Sequence, residues 1–235
     1  MKLSSIFAAT AVAAFLSTGA HATVFQFDGN QGDAIDAPTG GVDCNSQNSD
    51  GDRDICTADF VDGFDYSKNG VEFTAQGFAG DDAAELIQDL IGPNQGLGVI
   101  SDGEDRIKDD QINFAADESI RFTFTEEVVL TNILVNNGTG DDCPIVGDEG
   151  GCGQILISVD GGMAMAFDAI TGGLVADMAN NAVALTGTVF EFFGNVTDGG
   201  YSIEEFSVVP VPGALPLLLS GIAGLGFASR RRKAA

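Results

Sequence analysis

Through its middle the chain alternates apolar and polar side chains with a period of two. Val71-Glu72-Phe73-Thr74-Ala75 does so, and so does Ser119-Ile120-Arg121-Phe122-Thr123-Phe124-Thr125, where Ile120, Phe122 and Phe124 share one side. Gln154 to Asp160 sets Ile155, Ile157 and Val159 on a single side. Successive side chains of an extended backbone point to opposite faces, so this pattern predicts half-buried strands. Further strands are predicted over 24–27, 128–135, 163–168, 183–193 and 201–208. Asn136-Asn137-Gly138, Asp160-Gly161-Gly162 and Asp198-Gly199-Gly200 supply turn residues between them. One stretch departs from the alternation. Leu86, Ile87, Leu90 and Ile91 recur at helical spacing, Asp81 or Asp82 is placed to cap, and Gly92-Pro93 follows as a stop. Residues 81–91 are therefore predicted as a short helix. Many short strands with turn signals predict a mainly β fold, a single antiparallel β-sandwich of jelly-roll type carrying that one helix.

Both ends of the chain have a different pattern. Lys2 precedes an apolar run from Ile6 to Leu16, too short to span a bilayer comfortably, and Ala20-His21-Ala22 follows with small residues at alternate positions. These are the parts of a secretory signal peptide, with Ala20 and Ala22 framing cleavage by signal peptidase and Thr23 as the mature N-terminus. At the other end, Gly213 to Ser229 carries no charge, about 25 Å of helix at ~1.5 Å per residue, the short end of what crosses a membrane. Pro216 falls in its first turn, where a missing N–H costs little. Arg230, Arg231, Arg232 and Lys233 close it with a basic stop that belongs in the cytoplasm. The expected layout is a signal peptide at 1–22, an ectodomain at 23–208 and a tail at 209–235 with a single transmembrane helix.

Charge follows the same division. Five of the ten cations sit in the two ends and none of the 35 acids does, so the middle carries −30 where the whole chain carries −25. Such a surface repels phosphate and offers no basic patch, which excludes nucleic acid as a partner. His21 is the chain's one histidine and leaves with the signal peptide; the chain has no Trp. Imidazole-based metal sites and Ser-His-Asp or Cys-His catalysis go with it. The chemistry still open to an enzyme is a pair of carboxylates, as in a glycoside hydrolase. With so many acids such a pair arises anyway, and the aromatic residues that grip sugars are reduced to Tyr66, Tyr201 and core-patterned Phe. The chain is therefore not expected to be an enzyme.

The tail carries a more specific signal. Val209-Pro210-Val211-Pro212-Gly213, an apolar span rich in Leu, Gly and Ala, and a terminal Arg cluster resemble the PEP-CTERM class of sorting signals. The variant it is most similar to has the motif Val-Pro-Leu-Pro-Ala, with Val211 here in place of Leu and Gly213 in place of Ala. The resemblance covers the tail alone. It implies a Gram-negative type of envelope, an exosortase-like membrane enzyme as partner, and a surface or matrix destination linked to exopolysaccharide or biofilm. The expected role is that of a structural or adhesive matrix protein.

Two features of the middle segment suit an oxidising, calcium-containing exterior. Cys44, Cys56, Cys143 and Cys152 lie in polar, Gly/Asp-rich stretches that read as exposed loops, where thiols pair. Four cysteines allow three connectivities; loop closure favours Cys44–Cys56 and Cys143–Cys152, each contributing about 2–3 kcal/mol. Between the first two, Asn48, Asp50, Asp52 and Asp54 alternate at a spacing that suits a loop wrapped around a hard cation, with calcium as the candidate cofactor. Aligning Gly51 with the glycine of an EF-hand loop puts Thr57 where the bidentate Glu belongs. The other reading is a solvated acidic loop closed by a disulfide. Asp141-Asp142 with Asp148-Glu149 forms a second acidic loop of the same kind, and Asp109-Asp110 reads as turn chemistry.

Overall fold

The computed structural model describes residues 21–27, 36–39, 43–47, 54–57, 63–89, 96–100, 112–113, 117–136, 154–168, 184–194 and 200–211. Thirteen strands account for most of them: β1 (Thr23–Gln26), β2 (Asp43–Gln47), β3 (Asp54–Thr57), β4 (Phe64–Lys68), β5 (Val71–Ala79), β6 (Asp82–Asp89) and β7 (Gly96–Ile100), then β8 (Ile112–Asn113), β9 (Glu118–Asn136), β10 (Gln154–Val159), β11 (Met165–Asp168), β12 (Leu185–Gly194) and β13 (Gly200–Pro210). All the pairings are antiparallel. The chain is mainly β, as its alternation predicts.

The long strand β9 organises the sheet. Residues 118–124 pair with β5, and residues 128–136 pair with β13. Because β5, β6, β7 and β13 are themselves hydrogen-bonded in that order, the sheet returns to β9 and closes into a barrel. β12, β10 and β11 extend from β9 as an arm. One closed sheet thus takes the place of the two separate layers that a jelly-roll sandwich implies.

Inside the barrel the alternating apolar side chains meet. Phe25, Phe27, Phe64, Phe73, Phe122, Phe124, Phe190, Phe192 and Phe206 are buried together with Tyr66 and Tyr201. Phe73 and Phe122 pack edge to face with centroids 5.6 Å apart, and Phe73 stacks on Tyr66 at 4.9 Å. Burying rings of this size removes large apolar areas from water, and the edge-to-face geometry adds to it. The arm contributes Ile155, Ile157, Phe167, Leu185, Phe190 and Phe192 to the same core.

Over its described residues the predicted helix at 81–91 is a strand instead, β6 (Asp82–Asp89). Ala79 pairs with Asp82 across the two-residue loop Gly80-Asp81, so the two acids make a hairpin rather than a helix cap. β6 is held between β5 and β7 and also pairs with β3. Ala84 and Leu86 face the main core while Ile87 joins Ile100 in a second, smaller cluster, so both faces are covered. A strand buried on both sides loses the alternation that identifies strands, and tertiary pairing overrides the helix propensity of Ala-Ala-Glu-Leu. Cys44 and Cys56 likewise lie in β2 and β3 rather than in loops. Among the described residues no helix is long and apolar enough to cross a membrane. The expected span at 213–229 lies outside them.

Candidate functional site

The outward face of β9 is built from the polar half of the pattern described above. Ser119, Arg121 and Thr123 alternate with the buried Ile120 and Phe122, and β12 runs alongside with Glu191 opposite Arg121 and Phe193 opposite Ser119. Nη2 of Arg121 lies 3.0 Å from Oε1 of Glu191, and the Ser119 hydroxyl donates to the same oxygen at 3.2 Å. On the other side of Arg121, the Phe78 ring of β5 lies beneath the guanidinium, 4.3 Å from its carbon. A carboxylate and an aromatic face fix the cation between them. It keeps 38 % side-chain exposure, and Glu191 keeps 26 %, so both present free hydrogen-bonding capacity to solvent.

The far wall comes from the turn after β10. Asp160 and Gly161 adopt φ of 51° and 70°, the left-handed pair of a tight turn, and the Gly162 amide donates to the Val159 carbonyl at 2.8 Å. This directs the Asp160 carboxylate at β12, where Oδ1 accepts from the Thr188 amide and hydroxyl at 3.0 Å each and from the Val189 amide at 2.9 Å. The register of β12 shifts between Gly187 and Val189, which brings these donors together. Gly187 is required there, since a Cβ would press on Val159 and stand 2.7 Å from Oδ2 of Asp160. The Val189 amide holds the Asp160 carboxyl below its usual range, against partial desolvation and with help from Thr188.

Together these residues bound an open groove of about 510 Å³ whose floor is Arg121, Thr123, Ser158 and Glu191. Glu191 also borders an adjoining hollow of about 260 Å³ with Asp81, Asp117, Ser119 and Phe193. The two hollows meet at Glu191 and are lined by hydroxyls, carboxylates and one guanidinium. Sequence reasoning assigned no ligand chemistry to any of these residues; the only signal was the polar phase of the 119–125 alternation.

A second polar cluster is interior and structural. Tyr66 donates to Oε1 of Gln88 at 2.9 Å, and Nε2 of Gln88 donates to the carbonyls of Phe27 and Asp36 at 3.1 Å each. Asp36 in turn accepts from the Gln26 amide at 2.9 Å and from Lys68 at 2.7 Å. Both Oε1 and Nε2 of the buried Gln88 side chain have partners, so the cluster ties β1, β4 and β6 together.

The predicted site residues divide as follows. Asp54 is the first residue of β3, opposite Gln47, while Asn48, Asp50 and Asp52 lie outside the described residues. Among the described residues no group of three or more His, Cys, Asp or Glu is arranged to hold a metal. Asp43 pairs with Thr57 and Ser46 with Ile55 across an irregular register, which sets the backbones of Cys44 and Cys56 on neighbouring strands. Cys143, Cys152 and the acids at 141–142, 148–149 and 109–110 lie outside the described residues. So do Ala20, Pro212, Gly213, Arg230, Arg231 and Arg232. Ala22 is exposed and Thr23 begins β1; Val209 and Pro210 end β13 and Val211 follows.

Protein-family models, curated proteins and solved structures yield no match to this chain.

Proposed function

We propose that this is an exported structural or adhesive protein of the cell surface or extracellular matrix, sorted by an exosortase-like enzyme and associated with exopolysaccharide. One observation carries the reading. Thr23, the first residue after the expected signal cleavage, pairs with Val208, the last residue before the sorting motif. The first residue of β1 is thus the first after the expected cleavage, and its partner is the residue just ahead of the motif, with β13 itself running on to Pro210. Since β1 and β13 are antiparallel, the start of β1 lies beside the end of β13. That arrangement suits a domain held at a membrane by a helix over 213–229 before processing. On this reading the chain crosses the inner membrane of a Gram-negative-type cell, and the ectodomain is periplasmic or extracellular.

The groove over Arg121 and Glu191 is the surface we assign to the matrix. A guanidinium beside a carboxylate and several hydroxyls donates and accepts at neighbouring points, which suits the vicinal hydroxyls of a sugar ring. A chain of net charge −25 favours neutral over anionic polymers. The carboxylates of the groove are held as fixed acceptors, Asp160 by the Thr188 and Val189 donors and Glu191 by Arg121 and Ser119, which suits binding. Calcium bound by Asn48, Asp50, Asp52 and Asp54 would brace the connection between β2 and β3.

The test is expression of the full chain in a Gram-negative host that carries an exosortase. N-terminal sequencing should give Thr23, and the protein should partition with envelope and polysaccharide fractions. A cytoplasmic protein that retains Met1 overturns the proposal.

A further inference from the structure

β13 does not stop where the sorting motif begins. Val209 lies opposite Val129 and Pro210 opposite Val128, and the Val211 amide donates to the Glu127 carbonyl at 2.9 Å. Three of the five motif positions are thus laid against β9. All three are half-buried, and Pro210 borders a small hollow with Val71, Glu72, Thr125, Glu126 and Val128. A peptide bound as an added strand is gripped through its backbone N–H and C=O groups. Pro210 has no N–H to offer, and that of Val211 is engaged by Glu127. The sheet and a protease therefore compete for one set of backbone groups.

We propose that the end of β13 is a latch over the processing site, so that a membrane protease reaches the motif only when Val209–Val211 peel away from β9. The inference rests on reading the tail as a processed sorting signal. The step itself is hydrolysis of one peptide bond, with water leaving a carboxylate on the ectodomain and an ammonium on the tail. The fold controls how often that bond is presented. Strand ends open locally far more often than the whole domain unfolds, and cutting follows the open population when reclosing outpaces cleavage. A folded chain is consequently processed slowly and stays tethered, while a segment freed from the sheet is processed at once.

Two measurements on the full chain test this. In detergent micelles, the Val211 amide should exchange with deuterium at least ~10-fold more slowly than an unstructured valine amide. Exchange at the unstructured rate overturns the latch. In a host with an exosortase, the native chain is compared with one carrying six Gly/Ser residues and a second copy of the Val-Pro-Val-Pro-Gly motif after Val211. Pulse-chase should show the freed copy cut roughly 10-fold faster, with the new C-terminus mapped to it by mass spectrometry. Equal rates, with both chains cut, overturn the latch and leave the sorting reading intact. Cutting of neither chain overturns the sorting reading and the gate with it.

Discussion

Arg121 and Glu191 face each other across the β9–β12 ladder, 70 residues apart in sequence and 3.0 Å apart in space. Both side chains keep substantial solvent contact, so their pairing contributes little to stability, about 0–1 kcal/mol. Their value lies in fixing a donor and an acceptor on the floor of the groove. Glu191→Ala should therefore leave urea unfolding nearly unchanged while releasing Arg121 and the Ser119 hydroxyl from their shared partner. Affinity electrophoresis through dextran reads the binding side. The native chain should be retarded and the variant should not; equal mobility of the two would remove this groove from recognition.

Asp160 predicts a pH dependence with a definite sign. Its folded-state pKa is depressed, first by the Val189 amide and then by Thr188. The stability it supplies is therefore present above the unfolded carboxylate pKa of about 4 and is lost as pH falls through the lower folded value. Solvent exposure limits the effect to about 1 kcal/mol at neutral pH. Asp160→Ala should lower stability at pH 7 and make no difference well below pH 3, as compared by urea unfolding at the two pH values. Gly187→Ala should cost more, about 1–3 kcal/mol, because its methyl meets Val159 and Asp160.

The chain's two tyrosines provide an internal reporter of unfolding. Burial pushes Tyr66 well above its ordinary range, and the negative charge of Asp36 adds to this; Tyr201 is raised by burial alone. Both phenols stay neutral in the fold, so stability is retained below the unfolded pKa of about 10 and declines as pH rises beyond it. In an alkaline titration the tyrosinate absorbance should appear in one step that coincides with loss of far-UV circular dichroism. A phenol that ionises before that step would contradict its enclosed position. Gln88→Leu should destabilise by about 1–3 kcal/mol, since it strands the Tyr66 hydroxyl and the carbonyls of Phe27 and Asp36.

What could be read from the sequence depended on how many faces of each strand are covered. At 119–125 one face is core and one is solvent, so Ile120, Phe122 and Phe124 were legible as core and Ser119, Arg121 and Thr123 as surface. At β6 both faces are covered, and Leu86 next to Ile87 imitates a helix. β2 and β3 were hidden for another reason: their short sequences, Asp-Cys-Asn-Ser-Gln and Asp-Ile-Cys-Thr, carry no alternation, and pairing makes them strands. The groove was out of reach because its floor joins Arg121 of β9 to Ser158 of β10 and Glu191 of β12, a juxtaposition set by topology. Closure of the barrel through β9 was equally invisible, since it depends on one strand pairing with β5 and then with β13.

Phe206 should be the most costly single truncation on β13. Its ring lies 5.5 Å from Phe25, 5.4 Å from Phe27, 5.3 Å from Phe73 and 5.0 Å from Phe122, so it joins the first strand to the middle of the barrel. Phe206→Ala leaves a void among rings that the closed sheet holds in place, and should destabilise by about 3–5 kcal/mol. Phe25→Ala should act on the same contacts, with its ring 4.8 Å from Phe73 and its backbone paired to Phe206. Because the two residues share neighbours, the double variant should lose less than the sum of the two single losses. Urea unfolding of the four proteins measures this coupling, and strict additivity would mean that β1 is not energetically joined to β13. On the proposed reading, signal cleavage would free Thr23 at the start of β1; a variant processed four residues later would then lose the strand that pairs with β13, and should be degraded before reaching the surface.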